Sequence, residues 1–158
     1  MSKVGGYLAM PNTICSGHPT KSGRANIIIG NNWSNKLDGG AGNDIIYGGE
    51  GGDLIFGGIG NDMIYGQVGS DILTGGAGND IFVFAWGDGQ DTIKGFGDKV
   101  GNQDSIDLSG FTISSKDISI ESSGGNTIIG IEGVNNLDFQ LTLIGVKAST
   151  LDAGDFIF

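Results

Sequence analysis

The chain has few of the residue types from which most catalytic and metal sites are built. Its 158 residues contain one cysteine and one histidine, which excludes an internal disulfide, a cysteine-rich zinc site and a histidine cluster. Two prolines are too few for a collagen-like chain. No apolar run approaches the roughly 18 residues of a membrane span. We therefore expect no enzymatic activity from this chain, and a function that depends on backbone groups and carboxylates.

Positive charge is also scarce. Eight Lys and Arg stand against 18 Asp and Glu, for a net charge of −10, which makes nucleic acid an unfavourable partner. Between Leu37 and Ile93 the sequence has nine acidic residues and no Lys or Arg. An excess of this size calls for a counterion, and the pattern predicts a divalent cation as partner.

A repeat of nine residues accounts for most of the acidic segment. Five units follow one another from Gly39: GGAGNDIIY, GGEGGDLIF, GGIGNDMIY, GQVGSDILT and GGAGNDIFV. Weaker units begin at Lys21 (KSGRANIII) and Gly30 (GNNWSNKLD), and WGDGQDTIK follows the insertion Phe84-Ala85. Nine residues are too few for a turn, a helix and a strand. Each unit is therefore predicted to be a turn followed by a strand.

The positions within the unit have distinct predicted roles. Glycines at positions one, two and four permit a positive φ and allow carbonyl groups to converge. The apolar residue at position eight is predicted to point into the core. These residues are Ile28, Leu37, Ile46, Ile55, Ile64, Leu73, Phe82 and Ile93.

The units match GGxGxDxUx, and residues 21 to about 94 resemble the RTX, or haemolysin-type, calcium-binding nonapeptide repeats. The resemblance implies an all-β fold. This is a parallel β-roll, a calcium-binding right-handed β-helix of nonapeptide repeats, followed by an antiparallel β cap. Two units would complete one coil.

A coil of 18 residues would stack the position-six aspartates of alternate units. The expected pairs are Asp44 with Asp62, Asp62 with Asp80, Asp53 with Asp71, and Asp71 with Asp91. Stacked carboxylates repel each other unless a cation lies between them. Hard oxygen ligands and a cage of carbonyl groups favour Ca²⁺ over Mg²⁺. We expect about four internal calcium ions, with further ions at the ends.

The resemblance also implies a ligand set, in which each ion takes carbonyls from the first four positions of two neighbouring turns and two aspartate side chains. Asn26 and Asn35, which are uncharged at position six, predict weak binding or a capping role for the first two turns. The candidate metal ligands are Gly39, Gly40, Ala41, Gly42, Asp44, Gly48, Gly49, Glu50, Gly51, Asp53, Gly57, Gly58, Ile59, Gly60, Asp62, Gly66, Gln67, Val68, Gly69, Asp71, Gly75, Gly76, Ala77, Gly78, Asp80, Asp88 and Asp91.

Positions seven and nine are predicted to face outward, and the two sheets then differ. One face is mixed, whereas the other is wholly apolar. The apolar set is Ile27, Ile29, Ile45, Tyr47, Met63, Tyr65, Ile81 and Val83. Two explanations remain open for a face of this kind. Other segments of the chain cover it, or it binds a partner protein, a sister subunit or a sugar polymer that stacks on Tyr47 and Tyr65.

The sequence predicts three regions: an N-terminal extension or linker (1–20), the roll (21–103), and a C-terminal β cap with a secretion signal (104–158). Alternating runs in the last region indicate antiparallel strands, with a hairpin at Gly124-Gly125-Asn126. The final residues, Asp155-Phe156-Ile157-Phe158, resemble the C-terminal type I secretion signal of RTX proteins. A final core strand is the alternative, and both can hold.

The resemblance implies a calcium-binding module that folds in extracellular calcium after type I secretion. It would be the C-terminal part of a larger secreted protein, with calcium and the type I exporter as partners. Two alternatives remain: a polysaccharide-binding module of a secreted carbohydrate-active enzyme, and an adhesin or surface-layer fragment.

Overall fold

A computed structural model describes residues 23–99, 102–132 and 138–158. Cys15, His18 and the whole of the predicted N-terminal extension (1–20) lie outside the described residues. In the described ranges no helix has the length and apolar character to cross a bilayer. Three short 3-10 helices occur, at Ser115–Asp117, Ala148–Thr150 and Ala153–Asp155.

The strands are β1 (Ile27–Asn31), β2 (Lys36–Ala41), β3 (Ile45–Glu50), β4 (Leu54–Ile59), β5 (Met63–Val68), β6 (Ile72–Ala77), β7 (Ile81–Val83), β8 (Gly89–Lys94), β9 (Asp98–Lys99), β10 (Asn102–Gln103), β11 (Ser105–Asp107), β12 (Ile118–Ser123), β13 (Asn126–Ile131), β14 (Phe139–Ile144) and β15 (Phe156–Ile157).

Successive strands of the repeats alternate between two sheets and pair in parallel within each sheet. The first sheet has the order β1-β3-β5-β7-β11-β15, and the second has the order β12-β13-β14-β8-β6-β4-β2. Neighbouring strands pair with a register of 18 residues, as in Ile46 opposite Ile64 and Ile55 opposite Leu73. Two nine-residue units therefore make one coil, and the predicted all-β parallel roll is confirmed.

The core between the two sheets is a stack of position-eight side chains. Ile46, Ile55, Ile64 and Leu73 are fully buried, and Ile28 at the N-terminal end is 4% exposed. Because side chains alternate along a strand, one inward residue per unit is enough to fill the thin space between the sheets. Each fully buried aliphatic side chain contributes about 1.5–3 kcal/mol.

The C-terminal strands extend both sheets of the roll. β14 pairs in parallel with β8, and β13 pairs antiparallel with β12 on one side and with β14 on the other. β11 joins β7, and β15 joins β11, both in parallel. The predicted hairpin is confirmed, since Ser123 pairs with Asn126 around Gly124 and Gly125. Both glycines have a positive φ, at 59° and 86°, as a two-residue type I′ hairpin turn requires.

Aromatic side chains fill the C-terminal end of the core. Phe139 contacts Phe84 and Phe111 edge-on, with ring centroids 5.8 and 5.0 Å apart. Edge-to-face pairs of this kind are favourable beyond the area that they bury. The Phe84-Ala85 insertion therefore contributes a core residue, because Phe84 is 1% exposed.

The outer face of the first sheet carries the apolar side chains that the repeat predicts there. Ile27 and Ile29 are about half exposed, at 52% and 47%, while the next positions along the sheet are half-buried. The rings of Tyr47 and Tyr65 stack on each other with centroids 4.6 Å apart. The phenols therefore turn their faces toward each other.

Candidate metal centres

The position-six side chains form two rows, one along each edge of the roll. The row that we call the Asp44 edge comprises Asn26, Asp44, Asp62, Asp80 and Asp104. The Asp53 edge comprises Asn35, Asp53, Asp71 and Asp91.

Along both edges, the backbone N–H of one member donates to Oδ1 of the next member. The Asp44-to-Asp62 bond is 2.8 Å and the Asp53-to-Asp71 bond is 2.7 Å. This ladder fixes one oxygen of every carboxylate.

The second oxygen of each repeat aspartate has no partner. Oδ2 of Asp44, Asp53, Asp62, Asp71, Asp80 and Asp91 is buried and accepts no hydrogen bond. A buried, unpaired carboxylate oxygen is strongly unfavourable unless a cation or a donor neutralises it. Six such atoms at equivalent positions indicate cation sites, and they fit the calcium that the repeats predict.

The first members of the two rows show what happens without a carboxylate. Asn35 accepts from the backbone N–H of Asn31 at 2.9 Å and donates its own amide to Oδ1 of Asn31 at 3.2 Å. Asn26 donates its side-chain amide to Asp44 Oδ1 at 3.0 Å. The asparagine side chains thus donate hydrogen bonds of their own, which an ionised carboxylate cannot do.

Burial raises the pKa of Asp53, Asp62, Asp71, Asp80 and Asp91. Desolvation is the largest cause for each, and it brings the pKa of Asp62 and Asp80 to about 6. The pKa of Asp71 rises to about 7 and that of Asp91 to about 8. Neighbouring carboxylates add to the rise, as Asp44 and Asp80 do for Asp62. The ionised row is therefore unfavourable by itself, which is the electrostatic condition that a bound cation would relieve.

The turn glycines differ in backbone conformation according to their position in the unit. Positive φ values occur at position two in all five full units, including the non-glycine Gln67 at 67°. They occur at position four in every full unit except the one with Gly69. The predicted positive φ is wrong at position one, where Gly39, Gly48, Gly57, Gly66 and Gly75 have none.

Position one requires glycine because of close approach. A Cβ on Gly39 would lie 2.7 Å from Asp44 Oδ2 and against the carbonyl oxygen of Gly57. A Cβ on Gly57 would lie 2.6 Å from the carbonyl oxygen of Gly75 and against Asp62 Oδ2. The missing side chain leaves space where a carboxylate oxygen and a carbonyl of the next coil converge. Ca²⁺ binds about six to eight oxygens of these two kinds.

The carbonyls at position three have another partner. Those of Ile59 and Ala77 accept the position-four N–H of the preceding coil, each at 2.8 Å, and Val68 does the same at 2.9 Å. These bonds tie the turns of successive coils together. The fourth full unit has Gln67 and Ser70 where other units have glycine or asparagine. It keeps the register of the roll, since Gly49 pairs with Gln67 and the N–H of Asp53 donates to Asp71.

Two acidic residues close the rows at their C-terminal ends. Asp88, a predicted ligand, is buried, and its Oδ2 accepts the N–H of Ala85 at 2.7 Å. Its charge raises the pKa of Asp71 and Asp91. Asp104 accepts the N–H of Asp80 at 3.1 Å and so extends the Asp44 edge, a role that the sequence analysis did not assign. The 24-residue separation conceals it, although Asp104 lies two residues before the buried Ile106, which is the spacing of positions six and eight in the repeats.

Backbone carbonyl oxygens must supply most of the ligands of any metal site in the repeats. Within residues 23–99, 102–132 and 138–158 no three His, Cys, Asp or Glu side chains converge on one point. The carboxylates instead follow one another along each edge, with turn backbone between them. This donor set consists of hard oxygens, which suits a calcium ion.

Comparison with known proteins agrees with this geometry. The family model of the RTX calcium-binding nonapeptide repeat (4 copies) matches residues 22–55, 47–82 and 56–90. No curated protein matches the chain significantly.

Two solution structures of repeat subunits from an Azotobacter vinelandii mannuronan C5-epimerase are similar in fold. The AlgE6R3 subunit is 24% identical, with a TM-score of 0.53 over 93% of this chain and 86% of that one. The AlgE6R2 subunit is 27% identical, with a TM-score of 0.51 over 87% of this chain and 94% of that one. Residues 22–90, somewhat less than half of the chain, are therefore identified as RTX calcium-binding nonapeptide repeats.

Proposed function

We propose that this chain is a calcium-dependent folding module, the C-terminal part of a larger secreted protein. It leaves the cell unfolded through a type I exporter and folds when extracellular calcium binds. The observation that carries the proposal is the set of six buried Oδ2 atoms without partners. An unfolded chain keeps these carboxylates hydrated, so the folded roll is favoured only when ions replace that hydration.

We expect four internal ions. One would lie between each stacked pair: Asp44 with Asp62, Asp62 with Asp80, Asp53 with Asp71, and Asp71 with Asp91. The ligands at each ion would be Oδ2 atoms and turn carbonyls, including those of the position-one glycines. Four divalent ions would cancel about eight of the ten net negative charges.

The C-terminal residues would serve export before folding and the fold afterwards. Phe156 and Ile157 form β15 at the end of the first sheet, paired with Ile106 and Asp107. Recognition by the exporter would require these residues to be extended and accessible, as they are before the roll forms. Once these residues pair as the last strand of the sheet, the exporter could no longer bind them.

A second candidate function is suggested by the similar structures, which are subunits of a mannuronan epimerase. In that case this chain would bind a polysaccharide. Two features weigh against an acidic polymer or a stacked sugar. The repeats contain no Lys or Arg between Leu37 and Ile93, and Tyr47 and Tyr65 turn their ring faces to each other. Retention of the calcium-loaded chain on a mannuronan matrix would favour this candidate.

The decisive experiment is far-UV circular dichroism during a calcium titration. Magnesium serves as the control, and elution volume is recorded at both ends. We expect a calcium-specific gain of β signal with compaction to a monomer. A calcium-loaded dimer would instead assign the apolar face of the first sheet to a subunit interface. A chain that is already fully folded in excess chelator would contradict the proposal.

A further inference from the structure

The Asp44 edge carries a second row of polar residues that the Asp53 edge lacks. Asn43, Asn61 and Asn79 occupy position five, directly before the aspartates. The backbone N–H of Asn61 donates to Oδ1 of Asn43, and that of Asn79 donates to Oδ1 of Asn61, both at 2.9 Å. The N–H of Gln103 donates to Oδ1 of Asn79 at 2.9 Å and ends the row. We call this row the asparagine ladder.

The neighbouring glycines make room for the asparagine ladder. A Cβ on Gly60 would lie 3.0 Å from Oδ1 of Asn43, and a Cβ on Gly78 would lie 2.9 Å from Oδ1 of Asn61. Both glycines also have a positive φ. Position four on this edge thus accommodates the backbone turn and the amide oxygen of the preceding coil together.

The Asp53 edge has Ser34, Gly52, Ser70 and Gln90 at the corresponding places. Here the N–H of Gly52 donates to the hydroxyl oxygen of Ser34 at 3.3 Å. Gly52 has no side chain with which to accept a bond from the next coil. A continuous row of side-chain acceptors therefore exists at position five on one edge and is interrupted on the other.

We infer that the asparagine ladder positions Asp44, Asp62 and Asp80 for calcium, so that the Asp44 edge binds ions at lower calcium concentration than the Asp53 edge. The inference rests on the proposed function, because it concerns the same ions. The amide acceptors are neutral, so the ladder holds the turns together without a cation. It involves the residue next to each aspartate, so the carboxylates of this edge are already in register. A site ordered before binding loses less conformational entropy when the ion arrives.

The test uses residue-resolved calcium titration of the full chain, followed by ¹H–¹⁵N correlation spectra. The amide signals of Asp44 and Asp62 report one edge, and those of Asp53 and Asp71 report the other. For the unmodified chain we expect the first pair to reach half of its bound intensity at a lower calcium concentration. Simultaneous saturation of both edges, or earlier saturation of the Asp53 edge, would overturn the inference.

Matched variants separate positioning from general stability. Asn61→Ala removes one acceptor of the ladder, and we expect it to raise the midpoint of the Asp44 edge about fivefold, the effect of one net hydrogen bond. Ser70→Ala changes position five of the other edge, and it should leave the calcium midpoint of the Asp53 edge unchanged. Asn61→Ser should restore part of the loss, since Ser34 shows that a hydroxyl can accept this bond. Equal shifts on both edges in Asn61→Ala and Ser70→Ala would overturn the inference.

The same titration distinguishes this inference from the proposed function. If the chain binds no calcium, the proposed function fails, and the inference fails with it. If it binds about four ions but the edges do not differ, the inference alone fails. If Asn61→Ala does not fold, the order in which the two edges saturate with calcium in the unmodified chain still tests the inference.

Discussion

The repeats and the C-terminal region use aspartate in opposite ways. Near the C-terminus, carboxylates find donors close in sequence: Asp117 accepts from the N–H and hydroxyl of Ser114 at 2.9 and 2.8 Å, and Asp155 accepts from the N–H of Asp152 at 2.7 Å. In the repeats the donor comes from another coil and satisfies only Oδ1. The unpaired Oδ2 atoms found among the described residues all belong to repeat aspartates.

The difference shows where dependence on calcium should lie. A carboxylate that is bonded to its own turn is stable as soon as that turn forms, whereas a carboxylate aimed at another coil requires a further partner. The core follows the same division, because aromatic packing around Phe139 stabilises the C-terminal end while the repeats have single stacked aliphatic residues. Calcium should therefore decide the folding of residues 23–94 and affect the C-terminal strands mainly through them.

The largest expected effect comes from changing a repeat aspartate. Asp62→Asn removes a charged ligand from two predicted ions, those shared with Asp44 and with Asp80. We expect the calcium midpoint of the β signal to rise by about tenfold or more, since ligand charge sets calcium affinity. The number of bound ions, measured by calorimetry, should also fall. The matched control is Asp117→Asn, which should leave the calcium titration unchanged. Equal shifts in the two variants would break the comparison between the regions.

A smaller effect should follow from filling a position-one glycine. Gly57→Ala introduces no backbone strain, because Gly57 has no positive φ, but its Cβ would meet Asp62 Oδ2 and the carbonyl of Gly75. We expect a loss of about 1–3 kcal/mol in the free energy of unfolding with calcium present, as in other overpacked sites. Denaturant unfolding measures it.

The control for this substitution is Gly87→Ala, where the added Cβ has nothing within 4 Å and only the φ of 85° opposes it. Its loss should be about 1 kcal/mol, so the calcium midpoint should rise less than it does in Gly57→Ala, because folding and binding are coupled. A tolerated alanine at Gly57 would show that the space beside Asp62 is not needed.

The smallest effect concerns pH in the absence of calcium. The pKa values of Asp62, Asp71, Asp80 and Asp91 are raised in the roll, to between about 6 and about 8. The folded chain then binds more protons than the unfolded chain between about pH 4 and pH 8, so the free energy of unfolding decreases as pH rises through this range.

Calcium-stripped protein in metal-free buffer should accordingly show more β signal at pH 5 than at pH 8. Asp117 has the opposite shift, because the hydrogen bonds from Ser114 lower its pKa. It stays ionised between these two pH values and should not contribute. A calcium-free chain with more β signal at pH 8 than at pH 5 would contradict the electrostatic account of the repeats.

The period of nine predicted a turn and a strand in each unit and the core of position-eight side chains, whereas the roll with two units per coil was predicted from the family resemblance. Burial of Ile46, Ile55 and Ile64 follows directly from alternation along a strand, and the second row of aspartates follows from two units per coil. The alternative at the C-terminus is also decided in part, because Phe156 and Ile157 do form a strand. Their role in export remains a prediction.

Other features depend on contacts between coils, which a repeat does not encode. Glycine at position one was predicted to serve φ, but it is needed because an oxygen of another coil lies where its side chain would be. Asp104 falls outside the period, and only the pairing of β11 with β7 brings it onto the Asp44 edge. The asparagine ladder was visible as Asn43, Asn61 and Asn79, yet its meaning required knowing which amide faces which oxygen.

The register of 18 residues has a consequence for how such a gene can lengthen or shorten. Loss of a single nine-residue unit would carry each later strand to the opposite sheet and each later aspartate to the opposite row. Asp104 would then face the wrong row, and the asparagine ladder would be divided between the two edges. Loss or duplication of two units preserves every neighbour. Insertions and deletions in this roll should therefore occur as pairs of nine-residue units, and relatives of different length should differ by whole coils.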